Sequence, residues 1–259
     1  ISIKDGTYFV CNESHIHSVV NNDTEGRWGL IKDQVVDVKI SDYLKWSDKR
    51  KHLSKTFKAD ILDFSCKPPV AIHPYLLGVW LGDGYSIAGR LSAATTSIEM
   101  INKLQAIGQP VVKNETKYSW GLPELINKLR ELNVLKNKHI PEEYLVASVK
   151  DRFELLAGLI DTDGCISAGG YEFSQKSEVV TDQFIRLARS LGFRATKGKQ
   201  KNNKFGNCFR VWISGPHIHE IPVALSYKKI PEKTYRTDQR RFKTEIAPLM
   251  IISRLEEYD

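Results

Sequence analysis

The sequence predicts an α/β (α+β) fold made of two copies of one helix-strand-strand-helix unit, preceded by a β-rich N-terminal region. Two apolar segments, at residues 75–84 and 155–164, both end in Asp-Gly. Each is followed by β-like residues and by a second helical pattern, at 98–107 and 180–191, that ends at a glycine. Both blocks close with Lys-x-Ile-Pro. Matched landmarks in the same order indicate an internal duplication.

The segment boundaries follow from changes in this pattern. Strand-like alternation at 7–10 and 35–38 gives way to helical periodicity after Pro68-Pro69, which break the chain. We therefore expect a β-rich N-terminal region, a first repeat, a second repeat and a C-terminal return strand, at residues 1–71, 72–145, 146–236 and 237–259.

The charge of the chain points to a polyanionic partner. Lysine and arginine outnumber aspartate and glutamate by 38 to 31, which gives a formal net charge of +7. Net charge alone is a weak indicator, but the basic residues are concentrated at 49–58, 197–204 and 236–243. Clusters of this kind suit contacts with phosphate groups.

Composition also argues against several other classes of protein. The four cysteines are far apart in the sequence, which argues against a zinc site and against a disulfide scaffold. No apolar run approaches the ~18 residues that cross a bilayer, and the N-terminus lacks the pattern of a signal peptide. We expect an intracellular protein with no membrane partner, and the sequence does not distinguish nucleus from cytoplasm.

The apolar helix of each repeat carries small residues four positions apart. Gly78 and Gly82 in the first helix correspond to Gly158 and Thr162 in the second. Small residues at this spacing let two helices approach closely, because nothing projects between the backbones. We therefore expect the two helices to pack side by side with their C-terminal ends together.

This packing would bring Asp83 and Asp163 face to face, and Gly84 and Gly164 are expected to leave the helices with positive φ. Two carboxylates at helix C-termini repel each other and the helix dipoles, so the arrangement requires cations. Oxygen ligands select hard cations such as Mg²⁺, with Mn²⁺ as an alternative. The predicted metal site comprises Asp83, Asp163, Gly82 and Thr162.

Cations shared between these carboxylates and phosphate oxygens would activate water and stabilise a leaving 3′-oxygen, so the site predicts a phosphodiesterase. Lys138 and Lys228 occupy equivalent points of the repeats and are predicted to offset transition-state charge beside the aspartates. Lys229 is an alternative to Lys228, and a solvated lysine ahead of a turn is the competing interpretation. Asp161 corresponds to Leu81 in the first repeat and is predicted to be structural.

DNA contacts are predicted from the basic clusters and from the strands that follow each Asp-Gly, where side chains alternate suitably for base edges and phosphates. A solvated sheet surface is the competing interpretation. The predicted contact residues are Lys49, Arg50, Lys51, Lys55, Lys58, Arg90, Ser92, Thr95, Thr96, Glu172, Ser174, Gln175, Lys176, Lys197, Lys199, Lys201, Lys204, Arg210, Arg236, Arg240 and Arg241.

The segments LLGVWLGDG and LAGLIDTDG resemble the two signature motifs of the LAGLIDADG homing endonucleases, a likeness that covers about residues 72–235. The resemblance implies two αββαββα units related by a pseudo-twofold axis, whose saddle-shaped sheets straddle double-stranded DNA so that both strands are cut across the minor groove. It also implies a monomer with internal pseudo-symmetry. Asp83 and Asp163 match the metal-binding acids of that family, and Lys138 and Lys228 match its active-site lysines.

Residues 6–15 resemble a block of the Hint-type splicing domain of inteins, in which Asn12 and His15 would assist an acyl shift. That resemblance implies an intein-type endonuclease, with 39–58 in a DNA-contacting extension and the last segment returning to the splicing domain. Since the chain starts at Ile1 and stops at Asp259, we expect no self-splicing. Two alternatives remain, namely a non-cleaving maturase or regulator of the same architecture, and a fragment of a protein-splicing intein.

Overall fold

The computed structural model describes residues 11, 14–56, 60–65, 68–93, 97–116, 118–198, 201–203 and 206–232. The described residues form two compact units, one up to residue 56 and one over residues 60–232. The predicted strands at 7–10 and 237–259 lie outside the described residues. Residues 60–65 and 68–71, which the sequence pattern groups with the N-terminal region, belong to the second unit.

The first unit is a small antiparallel sheet with two short helices. Its strand order is β2-β1-β3, and Val19, Val38 and Tyr43 form its apolar centre. The predicted strand at 35–38 is confirmed. The elements are β1 (Ile16–Asn21), a 3-10 turn (Arg27–Gly29), β2 (Val35–Lys39), α1 (Ile40–Leu44), α2 (Asp48–Leu53) and β3 (Ser54–Thr56).

The second unit is built around two central helices, α3 (Pro74–Asp83) and α7 (Val149–Asp163). Helix α3 starts with proline at a position where a missing N–H costs nothing, and the His73 ring accepts a hydrogen bond from the Tyr75 amide. Helix α7 is capped by Ser148, whose hydroxyl oxygen accepts from the Asp151 amide at 3.1 Å.

These two helices pack backbone to backbone at a pair of glycines. A Cβ placed at Gly78 would lie 2.5 Å from the Leu155 carbonyl oxygen, and a Cβ at Gly158 would lie 2.4 Å from the Tyr75 carbonyl oxygen. The two contacts are reciprocal, since each glycine meets the carbonyl three residues before the other glycine. The predicted close packing of the two motif helices is therefore confirmed, with the symmetry expected of a duplication.

Each central helix is followed by its own antiparallel sheet, and equivalent residues pair within the two sheets. In the second repeat, Gly164 pairs with Phe173, Phe173 with Val211, and Val211 with Lys197. In the first repeat the corresponding row is Gly84, Leu91, Trp120 and Lys113. The strands are β4 (Arg90–Ser92), β5 (Val112–Lys113), β6 (Ser119–Gly121), β7 (Gly164–Ser167), β8 (Gly170–Gln175), β9 (Arg194–Lys197), β10 (Lys201–Asn203) and β11 (Gly206–Ser214).

Outer helices cover the side of the sheets that carries the core. Both predicted outer helices are present, as α4 and α8, and each ends near a glycine with positive φ, Gly108 at 83° and Gly192 at 77°. A continuous apolar core joins these helices to α3 and α7. The α/β fold with two repeats is thus confirmed. The remaining elements are α4 (Ile98–Ala106), α5 (Leu125–Glu131), α6 (Glu142–Leu145), α8 (Glu178–Ser190) and 3-10 turns at Ile218–Glu220 and Ser226–Lys228.

The segment that enters the second unit is anchored by a buried arginine. Arg152, in α7, is fully buried and donates to the carbonyl oxygens of Ala147 and Ser190 and to that of Leu62. The Leu62 amide in turn donates to the Ser190 carbonyl at 2.9 Å. Because a buried guanidinium must be satisfied by acceptors, residues 60–65 are part of the folded second unit rather than of a linker.

No helix within the described ranges is both long enough and apolar enough to traverse a lipid bilayer.

We expect Gly78→Ala to lower the free energy of unfolding by about 2 kcal/mol or more, because the new Cβ meets main-chain atoms that cannot rotate away. Alanine's higher helix propensity offsets this by only ~1 kcal/mol. Urea denaturation followed by circular dichroism measures the change. Gly121→Ala is the matched control, since a Cβ there would have its nearest neighbour at 3.4 Å. Equal midpoints for the two variants would contradict the packing argument.

Candidate active site

The C-terminal ends of α3 and α7 place two aspartates together. Asp83 is the last residue of α3 and Asp163 the last residue of α7. A Cβ at Gly82 would lie 3.2 Å from Asp163 Oδ2 and 2.1 Å from Thr162 Oγ1. The helix ends therefore meet within side-chain reach, and a threonine fits on one side because a glycine faces it on the other.

The glycines that follow the aspartates serve a different purpose from the one expected. Gly84 has φ −76° and Gly164 has φ −104°, both in the extended region, so the expectation of positive φ is wrong. A Cβ at Gly84 would lie 2.3 Å from the Trp80 carbonyl oxygen, and one at Gly164 would lie 2.7 Å from that of Ile160. Glycine is needed at these positions because the chain turns back closely over its own last helical turn.

A lysine binds the end of each central helix. Lys138 Nζ donates to the carbonyl oxygens of Leu81 at 3.0 Å, Gly84 at 2.7 Å and Gly82 at 3.4 Å. The Lys138 ammonium lies where the last carbonyls of α3 have no partner within the helix, and its positive charge interacts favourably with the negative end of the helix dipole.

The second lysine is Lys228 and not its neighbour. Lys228 is 6% exposed, and its Nζ donates to the carbonyl oxygens of Ile160 at 2.9 Å and Asp161 at 2.8 Å. Lys229 is exposed. Of the two candidates that the sequence left open, Lys228 is therefore the one placed at the helix end.

Gln175, predicted as a DNA contact, lies at the site itself. Its Nε2 donates to Asp163 Oδ2 at 2.8 Å, and its Oε1 accepts from the Lys176 amide at 2.7 Å. The side chain thus fixes one oxygen of Asp163 rather than projecting toward a base edge. The sequence shows Gln175 as one of several polar residues on the strand after the second motif, and no sequence signal distinguished it from Ser174. By the register that aligns Phe173 with Leu91, the counterpart in the first repeat is the buried Ala93, whose side chain has no polar group to offer Asp83.

Asp161 has the internal position that the asymmetry of the motifs predicts. It is 4% exposed and accepts from Tyr75 Oη at 2.7 Å, the Ala224 amide at 2.7 Å and the Leu225 amide at 3.2 Å. Burial raises the pKa of Asp161, while these donors oppose the rise. The side chain joins both central helices to the chain that leads to Lys228.

Burial dominates the electrostatics of the paired aspartates. Burial, and secondarily the charge of Asp83, raises the pKa of Asp163 to about 6. Burial also raises the pKa of Asp83, against the opposing charges of Lys138 and Lys228. In turn burial lowers the pKa of Lys138 to about 8, although both aspartates act in the opposite direction. Two carboxylates and two ammonium groups therefore share one partly dehydrated pocket, which disfavours all four charges.

The donor set fits a divalent cation that is shared with an external ligand. Within the described ranges no three His, Cys, Asp or Glu side chains cluster as a self-contained metal site. Carboxylate oxygens of Asp83 and Asp163 are the hard ligands that Mg²⁺ prefers, and a cation between them would offset their repulsion. The Thr162 hydroxyl donates to the carbonyls of Gly158 and Leu159, so its side chain is engaged inside the helix. Gly82 and Thr162 are left with main-chain oxygens to contribute.

The outer face of the second sheet carries several of the predicted DNA contacts. Glu172 and Arg210 form an ion pair at 3.3 Å across neighbouring strands, and Trp212 lies exposed beside them. Lys197 binds Glu178 at 2.8 Å and Asp182 at 2.7 Å, so two carboxylates already neutralise its charge. Ser174 is half-buried on this face, and Lys176 is exposed at its end; Arg90 and Ser92 are exposed on β4.

The basic cluster of the first unit is only partly available to a ligand. The Arg50 guanidinium stacks on Trp46 at 3.8 Å from the ring centroid, and Lys51 Nζ donates to the Leu44 carbonyl at 2.9 Å. Lys49 lies exposed on the same helix, α2. Lys55 is 6% exposed and donates to the His52 carbonyl, so its prediction as a phosphate contact is wrong. Its amino group turns back into the unit to satisfy the end of α2.

Several predicted residues lie outside the described part of the chain. His15 is described and exposed, and its carbonyl accepts from the Ile40 amide at 2.9 Å. The side chain of Lys201 is not described. The residues beyond description are Asn12, Lys58, Thr95, Thr96, Lys199, Lys204, Arg236, Arg240 and Arg241.

We expect Asp163→Asn to stabilise the metal-free protein in a pH-dependent way. An aspartate titrates near 3.8 when unperturbed, and the folded protein raises this pKa to about 6. The folded state therefore binds the Asp163 proton more tightly than the unfolded state does. The free energy of unfolding consequently falls as the pH rises from about 4 through about 6. The advantage of the variant should grow over this window to on the order of 2–3 kcal/mol. Urea denaturation in EDTA measures it.

Saturating Mg²⁺ provides the control for this experiment. A cation at the site stabilises the ionised carboxylate, so the difference between wild type and Asp163→Asn should shrink above pH 6. A difference between the two proteins that stays flat from pH 4 to pH 7 in EDTA would show that Asp163 is not perturbed as the geometry implies.

Comparison with known proteins identifies a similar sequence and similar folds. The chain is 41% identical over 124 residues to the replicative DNA helicase DnaB of Mycobacterium intracellulare, in an alignment that covers 48% of this chain and 19% of the helicase. The chain thus spans about a fifth of the length of that relative.

Among solved structures, the homing endonuclease I-DmoI in complex with DNA and Mn is similar, with 17% identity and a TM-score of 0.42 over 60% of this chain and 96% of that one. I-DmoI in complex with DNA and Ca gives 16% identity and a TM-score of 0.40, over 57% of this chain and 85% of that one. Residues 151–221 match the family described as the LAGLIDADG-like domain. The matched residues fall within the second repeat.

Proposed function

We propose that this chain is a site-specific homing endonuclease that hydrolyses both strands of double-stranded DNA with Mg²⁺ as its cofactor. The observation that carries the proposal is the convergence of Asp83 and Asp163 at the ends of two reciprocally packed helices, each end with its own lysine. A structural carboxylate gains nothing from a buried partner of the same charge. The pairing is favourable if both carboxylates bind cations that also contact the phosphates of a polyanion.

The proposed reaction is in-line hydrolysis of a phosphodiester. A water oxygen attacks phosphorus, the bond to the 3′-oxygen breaks, and a proton from the water passes to solvent while the 3′-oxygen takes one up. When bound, Mg²⁺ supplies Lewis-acid stabilisation of the phosphate and lowers the pKa of a nearby water. Asp83 and Asp163 would hold the cation, and Gln175 would keep the Asp163 carboxylate in one orientation.

The lysines would supply positive charge where the phosphate gains negative charge. Lys138 already donates to three carbonyls, but its contact with Gly82 is long, at 3.4 Å, so this N–H is the one that can turn toward a phosphate oxygen. One lysine at each helix end supports one reacting phosphate for each repeat. A monomer with two similar halves would therefore cut two strands.

DNA would lie against the outer faces of the two sheets. Trp212, Arg210 and Ser174 on the second sheet and Arg90 on the first offer stacking, ionic and hydrogen-bonding groups to bases and phosphates. The net charge of +7 supports a polyanionic partner. Such an enzyme would act inside the cell, where its substrate is.

We infer that the endonuclease is of intein type. The similarity to the DnaB helicase extends over 124 residues and covers 19% of that longer protein. This supports an origin as an element carried inside a host protein. The resemblance of residues 6–15 to a splicing block supports the same origin. A non-cleaving binder of the same architecture is the alternative, and the cleavage experiment decides between them.

We expect wild-type protein with Mg²⁺ to cut a defined subset of a randomised duplex DNA library, read out by sequencing the new ends. Asp83→Asn and Asp163→Asn should each lower cleavage by at least about 100-fold while retaining DNA binding in a gel-shift assay, because charge at the cation sites is lost. Asp182→Asn, at an exposed carboxylate on α8, is the control and should cut normally. Cutting by Asp83→Asn at the wild-type rate would remove the proposed mechanism.

We expect Lys228→Met to lower the cleavage rate about 10–1,000-fold and Lys229→Met to leave it within about threefold. The buried ammonium of Lys228 lies at the helix end beside the aspartates, whereas Lys229 is exposed. Single-turnover cleavage of the selected DNA measures both. The reverse ranking would transfer the role to Lys229.

A further inference from the structure

Each of the two lysines sits on a loop that is held by the outer helix of the other repeat. The segment from Lys138 to Ile140, the Lys138 loop, belongs to the first repeat but is bound by α8 of the second. The segment from Pro222 to Lys228, the Lys228 loop, belongs to the second repeat but is bound by α4 of the first. The two halves are therefore interlocked at the two lysines and not only along the central helices.

Gln183 of α8 holds the Lys138 loop through its main chain. Its Oε1 accepts from the Ile140 amide at 2.7 Å, and its Nε2 donates to the Ile140 carbonyl at 2.9 Å. Ile140 is buried and lies two residues after Lys138. Because the Gln183 side chain binds both main-chain polar groups of Ile140, it fixes the backbone position from which the Lys138 side chain extends. A paired contact of this kind restricts translation and rotation of the loop.

Two side chains of α4 hold the Lys228 loop in the same manner. Glu99 accepts from the Ser226 amide at 2.8 Å and from its hydroxyl at 3.2 Å. Lys103 Nζ donates to the Pro222 carbonyl at 2.5 Å. Glu99 thus binds the first residue of the 3-10 turn that carries Lys228 as its third.

One of these contacts is made from the same position in both helices. Ser97 precedes α4 and Ser177 precedes α8, and Lys103 and Gln183 each lie six residues beyond that serine. Both reach main-chain atoms of the loop that belongs to the opposite repeat. The interlocking is therefore a feature of the duplicated architecture rather than of a single contact.

We propose that Gln183 and Glu99 are positioning residues that act across the repeats, with Gln183 setting Lys138 and Glu99 setting Lys228. Neither side chain contacts an aspartate of the site. Their part in cleavage rests on the proposed function, whereas their control of the lysines does not. Each outer helix thereby makes the reaction centre of one half depend on the folding of the other.

Chemical reactivity of the lysines tests the positioning without DNA. In the wild type, Lys138 and Lys228 are tied to carbonyl oxygens and should be methylated slowly by formaldehyde and a borohydride reagent, followed by peptide mass spectrometry. Gln183→Leu should raise the methylation rate of Lys138 about 5–20-fold and leave Lys228 within about twofold, since one or two hydrogen bonds to its loop are lost. Glu99→Ala should do the reverse.

Conservative variants and a neighbour serve as controls. Glu99→Gln keeps an acceptor for the Ser226 amide and should restore protection of Lys228 to within about threefold of wild type. Gln183→Glu keeps the acceptor for the Ile140 amide, loses the donor, and should give an intermediate rate at Lys138. Asp182→Asn, next to Gln183 on α8, should change neither lysine. Gln183→Leu exposing both lysines equally, or Lys228 alone, would overturn the proposal.

Strand-specific cleavage tests the functional consequence. On duplex DNA labelled at both 5′ ends, Lys138→Met and Lys228→Met each identify the strand that their lysine serves. Gln183→Leu should slow the strand slowed by Lys138→Met about 5–20-fold, with DNA affinity in EDTA unchanged. Equal slowing of both strands would overturn the cross-repeat role in catalysis. Absence of cleavage by the wild type would refute the proposed function instead, and the methylation pattern would still decide the positioning.

Discussion

The contact on which the rest of the second unit depends is the approach of α3 to α7 at their paired glycines. Gly78 and Gly158 each face a carbonyl of the partner helix at a distance that leaves no room for a Cβ. This approach sets the separation of the helix ends and therefore of Asp83 and Asp163. The two sheets follow these helices in matching register, and a continuous apolar core joins the outer helices to them.

The site that results is electrostatically unfavourable when no cation is bound. Burial raises the pKa of Asp163 to about 6 and lowers that of Lys138 to about 8, so the folded protein resists both charges. The lysines reduce the repulsion and also bind the last carbonyls of the helices. A buried cluster that opposes its own ionisation is typical of a functional site, because a purely structural role would be served better by apolar residues.

Much of the architecture was predictable because it is repeated. The near-identical spacing of the two blocks located α3, α7, α4 and α8 and indicated which aspartates pair. The errors arose where the direction of a side chain or the path of the backbone depends on packing that the residue types do not reveal. Gln175 was grouped with its strand neighbours although it binds Asp163, and Lys55 was grouped with a basic cluster although its amino group is buried. The extended φ of Gly84 depends on Trp80 of the preceding turn, which a capping rule does not consider.

The sequence by itself determined the duplication, the pair of glycine-rich helices, the two aspartates and the two Lys-x-Ile-Pro segments, because each of these is a local pattern that occurs twice. Only the tertiary structure decided that Lys228 rather than Lys229 reaches the helix end, and that Gln183 and Glu99 hold the loops of the opposite repeats. The physical reason is that adjacent residues in a turn point in different directions, and their direction is set by partners 40 or more residues away.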